Sequence, residues 1–303
     1  MKAFLLIFAM FMTMNSANAL TTEDGRLALL RKDYATAIKI FKNEEKKNDS
    51  NAQMLLATMY IEGLGVEKNL DEAVRLMKQS AFNGNAQAQH QIAVMHQNGI
   101  GVEKNLQEAI FWYKKAVAQG LPSAQHGLGS MYENGLGINK DINEAVRLYK
   151  LSAEKNYALA QHNLGVLYEG GVGVKQDKKE AVRLYKLAAS QGIKEAQFNL
   201  AVSYDNGEGV EVNKLQALNW YRAAAKQGMI EAQMNLGYMY LEGEGVSKSF
   251  IKAITWWKIA NLYGSKEALE HIKNISSDIN KSDYIQALKL ADECYKRKLD
   301  GCN

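Results

Sequence analysis

An Ala-Gln pair recurs every 36 residues along this chain, at Ala52-Gln53, Ala88-Gln89, Ala124-Gln125, Ala160-Gln161, Ala196-Gln197 and Ala232-Gln233. Ala268 continues the series with Leu269 in the Gln position. A Gly-x-Gly turn keeps the same spacing, from Gly63/Gly65 through Gly99/Gly101, Gly135/Gly137, Gly171/Gly173 and Gly207/Gly209 to Gly243/Gly245. A fixed period of this length means stacked copies of one supersecondary unit, each able to bury its apolar face only against its neighbours. It excludes a globule built around a single unrepeated core.

Each unit reads as two helices. In the fourth, Ala160, Leu164, Gly165 and Tyr168 mark one face of a first helix. Gly165, like Gly129 and Gly237, suits a close approach of two helix axes. The Gly-x-Gly turn then stops the helix, since glycine takes the left-handed conformation freely at a C-terminal cap. The second helix starts at a column of N-cap residues: Asn69, Asn105, Asp141, Asp177, Asn213 and Ser249. Three places on stand Glu72, Glu108, Glu144, Glu180 and Gln216, the partner of a capping box, with Lys252 the exception. Alanines follow at 73, 109, 145, 181, 217 and 253, then bulky pairs such as Trp112-Tyr113 and Trp256-Trp257. A single proline among 303 residues fits a chain made almost wholly of helix.

The pattern A-Q-x-x-L-G-x-x-Y-x-x-G-x-G-V-x-x-D-x-x-E-A-x-x-x-Y-x-x-A-A resembles the Sel1-like repeat family, a relative of the tetratricopeptide repeats. That resemblance implies an all-α fold, a right-handed α-solenoid of antiparallel helix pairs, and a partner-binding role. Residues 49–264 hold six such repeats. Residues 20–48 read as a truncated N-terminal repeat, with Asp24–Leu30 paired to a second helix carrying Ala37 and Ile40-Phe41. Residues 265–303 read as C-terminal capping helices over Glu267–Ile275 and Lys281–Arg297.

Met1–Ala19 has the features of a secretory signal peptide: Lys2, ten apolar residues from Ala3 to Met12, and Ala17-Asn18-Ala19 as the cleavage site. No cysteine follows the expected cleavage site, so a lipid anchor is not expected. The mature chain is expected in the periplasm or outside the cell, as a monomer without membrane insertion. Cys294 and Cys302 are an even pair in an exported chain and read as a disulfide. Their spacing is similar to that in the cysteine-rich branch of the Sel1-like family.

The 37 basic and 33 acidic side chains lack any concentrated basic run, which argues against a nucleic-acid partner. His90, His126 and His162 share one column, but helices ~8–10 Å apart do not bring equivalent side chains onto one metal ion. The column reads instead as a pH-sensitive stripe. Ser152-Ala-Glu-Lys155 and Ser249-Phe-Ile-Lys252 match S-x-x-K, the only catalytic pattern present, and no S-D-N or K-T-G accompanies them. No enzyme and no cofactor are expected; a penicillin-binding or β-lactamase-like hydrolase is the catalytic alternative. In the related tetratricopeptide repeats the first helices line a concave groove. By that analogy a protein or peptide partner would meet His90, His126, His162, Phe198, Met234 and Tyr238, with Glu133, Glu169 and Asp205 on one rim. The chain is then an exported adaptor, or an immunity protein against a secreted phospholipase-type toxin, a role also found among exported relatives.

Overall fold

The structure, a computed structural model, describes residues 20–302. The leader expected at Met1–Ala19 lies outside the described residues. Among those residues there are sixteen helices and no strand. They fall into two compact units.

The first unit runs to Met131 and includes residues 135–139. It holds α1 (Thr22–Leu30), α2 (Tyr34–Glu45), α3 (Ser50–Glu62), α4 (Leu70–Phe82), α5 (Ala86–Asn98) and α6 (Leu106–Ala118). α7 (Pro122–Asn134) belongs to it as far as Met131. From α1 to α6 each helix packs on the next, as in an α-solenoid. The second unit takes Tyr132–Asn134 and everything from Lys140. It contains α8 (Ile142–Glu154), α9 (Ala158–Gly170), α10 (Lys178–Ser190), α11 (Lys194–Asn206), α12 (Lys214–Lys226), α13 (Ile230–Glu242) and α14 (Phe250–Leu262). It closes with α15 (Glu267–Asn274) and α16 (Lys281–Lys296), both packed on α14.

The invariant Gln of the ruler is a buried strut. Gln89 Nε2 donates to the Ala81 carbonyl at 3.0 Å, binding α5 to the preceding α4. Its Oε1 accepts from Gln119 Nε2, at the end of the next second helix, at 2.8 Å. Gln197 repeats both bonds in the second unit, with Ala189 and Gln227. One amide thus satisfies a donor and an acceptor across three helices, which an apolar residue of the same size could not do.

The N-cap column forms as the sequence suggests: Asn69, Asp141, Asp177, Asn213 and Ser249 each accept from the backbone N–H three residues on. The capping box is only half built. The N-cap N–H groups donate backward to the preceding helix, Asp141 to the Tyr132 carbonyl at 3.0 Å and Asp177 to Tyr168 at 2.9 Å. The N3 carboxylates are thereby released and turn forward: Glu72, Glu144 and Glu180 bind Arg75, Arg147 and Arg183. Among the described residues the reciprocal box appears at α1, between Thr21 and Asp24.

The glycine column of the first helices also differs from expectation. Glycine admits an aromatic ring there, beyond any closer approach of axes. A methyl on Gly165 would lie 2.7 Å from Tyr185 Cε1, and one on Gly237 would fall on the Trp257 indole. The second glycine of each turn has positive φ and docks on the start of the preceding second helix. Gly101, at φ 66°, meets Leu70 and Val74 in this way.

Candidate functional site

The expected histidine column lies at the seam between the two helices of each repeat. In the first unit the His90 and Tyr113 rings are 5.8 Å apart. In the second unit His162 stands 6.0 Å from Tyr185, and Phe198 stands 5.7 Å from Tyr221. These residues are half-buried, as is His126 on α7. Burial holds the His90 and His162 imidazoles below the ordinary histidine value. The His162 Nδ1 lies 3.2 Å from Asn163 Oδ1, a contact that opposes this shift without reversing it, and Asn199 Nδ2 lies 3.3 Å from its Nε2. Desolvation thus favours the neutral form of His90 and His162 in the expected stripe. The place expected for Met234 is corrected. Only 8% exposed, it sits in the core of the second unit, and its carbonyl accepts from Trp257 Nε1 at 3.1 Å.

Glu133, Glu169 and Asp205 are half-buried, and each accepts from a fully buried phenol sixteen residues on. The distances are 2.7 Å from Tyr149, 2.9 Å from Tyr185 and 3.2 Å from Tyr221. Gln97 does the same for Tyr113 at 2.8 Å. Burial and the neighbouring carboxylate push the Tyr185 and Tyr221 hydroxyls far above the ordinary phenol value, so both remain donors. Sequence reasoning took the carboxylates for a rim and missed this pairing. The signal is present: Ile61 faces Met77 and Leu241 faces Trp257, so the position is polar only where a phenol follows. Asp205 also binds Lys214, which reaches Glu244.

In one first-helix column Thr58, Val166 and Tyr238 are exposed, while Val94, Ser130 and Val202 at the same place are half-buried; Leu159 is exposed as well. In the first unit a groove of about 440 Å³ runs between α3 and α5, lined by Met54, Thr58, Ile61, Val94 and Ile100. In the second unit Tyr238, 39% exposed, stands edge-on to Trp257, and its hydroxyl lies 2.7 Å from His271 Nε2. His271 also stacks near Trp257 and meets Glu267 at 3.2 Å. His271 stands on the closing helix α15, at the place of Asn163, Asn199 and Asn235 in the repeats, and column reasoning did not single it out.

Neither S-x-x-K serine is presented as a nucleophile. Ser152 is fully buried, and Ser249 Oγ accepts from the Lys252 N–H while Lys252 Nζ lies over the Tyr240 ring. Among the described residues no group of three or more His, Cys, Asp or Glu converges to hold a metal ion. Cys294 and Cys302 are joined by a disulfide.

A model of the Sel1 repeat matches six segments: 50–85, 86–121, 122–157, 158–193, 194–229 and 230–261. Among solved structures the chain is similar to a protective antigen of uropathogenic Escherichia coli strains that displays an SLR fold. The identity is 31% and the TM-score 0.80, over 88% of this chain and 57% of that one. The chain thus spans little more than half of that antigen. It is also similar to a Sel1 repeat protein from Oxalobacter formigenes, at 32% identity and TM-score 0.74, over 80% of this chain and 99% of that one. An immunity protein from Pseudomonas aeruginosa matches at 21% identity and TM-score 0.45, over 80% of this chain and 83% of its own, too loosely to carry an argument. No curated protein matches the chain.

Proposed function

The chain belongs to the Sel1 repeat family, and from that premise we propose that it is an exported, non-catalytic adaptor whose first-helix faces bind a protein or peptide partner. The observation that carries this reading is in the second unit. Val166 and Tyr238 stand exposed at one repeat position, and Tyr238 heads an ordered aromatic group with Trp257 and His271. Buried columns vary among residues that fill the same space, whereas this position changes from valine to an exposed tyrosine, as a surface reading an asymmetric partner requires. Aromatic residues that combine an exposed edge with a held hydroxyl are favoured interface anchors. Export is the reading of Met1–Ala19, and the Cys294–Cys302 disulfide supports an oxidising compartment.

The test is recovery of a partner from envelope fractions by the wild-type chain, followed by direct titration of that partner. Tyr238→Ala and Phe198→Ala should each weaken it at least tenfold while the folded fraction at the assay temperature stays unchanged. Wild-type affinity in both folded variants would move the partner to another face. The mature N-terminus of the native protein, read by mass spectrometry, should be Leu20.

A further inference from the structure

Two departures from the repeat meet on the outer row of second helices in the first unit. At the position of Arg75, Arg147 and Arg183 the second repeat carries Phe111, leaving Glu108 without the arginine that Glu72, Glu144 and Glu180 bind. At the end of α4 stands Phe82, where later repeats have Ala118, Glu154, Ser190 and Lys226. Phe82 is 73% exposed and Phe111 47%. Both rings lie edge-on to the same indole: Phe82 is 4.9 Å from Trp112 at 83°, and Phe111 is 5.0 Å from it at 80°. Repeat packing requires neither phenylalanine: the Phe82 place is alanine, polar or, in the sixth repeat, Leu262, and the Phe111 place is arginine, Asn219 or Thr255 elsewhere. Trp112 itself is buried, so the exposed surface is the two phenylalanine rings it supports; such an apolar patch raises the free energy of the unbound chain in water and marks a contact surface.

The surrounding charge selects the occupant. Lys78 is one turn before Phe82 on α4; Lys114 and Lys115 are one turn after Phe111 on α6. Lys115 Nζ lies 5.5 Å from the Phe111 ring, and no ion pair engages Lys78, Lys114 or Lys115 among the described residues. We propose that Phe82, Phe111 and Trp112, rimmed by these lysines, form a second docking site, for an acidic protein segment that carries an aromatic or aliphatic anchor. The anchor sits against the two phenylalanine edges and flanking carboxylates meet the lysines. Glu108, one turn before Phe111, opposes an acidic segment, but the three lysines outnumber it; a flat anionic bilayer fits less well, since it would also be pressed against Glu45 and Glu72 beside Arg75.

The decisive variant is Phe111→Arg, which rebuilds the Arg–Glu pairing of α4, α8 and α10 and so keeps the helix intact. The full mature chain is titrated with a fluorescein-labelled peptide bearing a Trp-Leu pair between runs of Asp and Glu. A control peptide carries Lys in place of the acids. The acidic peptide should bind, weaken as salt rises, and lose at least tenfold in affinity in Phe111→Arg and Phe82→Ser, with melting temperatures held. The basic peptide should not bind. No binding of the acidic peptide, or equal binding by both variants, overturns the proposal. So does binding of phosphatidylglycerol vesicles in place of the peptide, or self-association of the wild type that Phe111→Arg abolishes.

Discussion

Glu169 shows what a half-buried carboxylate does in this fold. It gives Tyr185, a fully buried phenol, an acceptor at 2.9 Å. Replacing one partner strands the other. Glu169→Leu should therefore cost about 1–3 kcal/mol, the usual penalty for a buried hydroxyl left unmatched. Adding Tyr185→Phe should recover much of that loss, as in the last repeat, where Leu241 accompanies Trp257. Chemical denaturation of the two single variants and the double variant checks it; strictly additive losses would remove the coupling. His162 makes a second residue-scale prediction. Its ring is kept below the ordinary value of 6.5 by burial, so the folded state binds fewer protons than the unfolded chain. Stability from this group is complete above that value and falls as pH drops below it, until the folded-state histidine is protonated. Denaturant midpoints between pH 7 and 5 should fall less in His162→Phe, which copies Phe198 of the next repeat. An equal fall in both proteins would place the acid sensitivity elsewhere.

At the scale of the helix, one column can carry different requirements in different repeats. Gly165 faces Tyr185, yet Ala201 stands in the same column above Tyr221 in the following repeat. Gly165→Ala therefore needs the Tyr185 ring to shift, as Ala201 shows a ring in this column can, and the gain in helix propensity of up to about 1 kcal/mol offsets part of that strain. Gly237 faces the larger Trp257 ring, itself held by its bond to the Met234 carbonyl, so Gly237→Ala should destabilise by about 1–3 kcal/mol through overpacking. Thermal melts should show the larger loss for Gly237→Ala. The helices themselves were legible, because a period of 36 residues with N-cap residues and Gly-x-Gly turns marks both ends of each one. Which groups those caps would use was less legible. The N-cap N–H is taken by a carbonyl of the preceding helix, a partner set by tertiary stacking, and only then do the glutamates turn to arginine. Exposure was legible where it follows the place in the repeat, as at Val166 and Tyr238. It was not where a neighbouring helix supplies the partner, as for Met234, for the phenol-bound carboxylates and for His271 on α15.

At the scale of the molecule, a stacked array has a specific weak point at each end, because a terminal repeat lacks one neighbour. In the second unit that end is covered by α16, whose Ala287, Ala291 and Cys294 are buried with Trp256 of α14. Thr255 Oγ1 also reaches the Ala287 carbonyl at 3.3 Å. The Cys294–Cys302 bridge closes a separation of only eight residues, from the last turn of α16 to the segment that follows it. By chain entropy so short a loop stabilises by roughly 2–3 kcal/mol. Interactions in an array run between neighbours, so the loss on removing the bridge should stay near it. Cys294→Ser with Cys302→Ser should lower amide exchange protection in α14, α15 and α16, and leave α3 to α6 of the first unit as in the wild type. An even loss through every helix would mean that the chain unfolds as one cooperative block and that the bridge serves all of it. Unchanged protection in α14–α16 would mean that α16 holds by its packing on Trp256 alone, with the bridge adding nothing to the native cap.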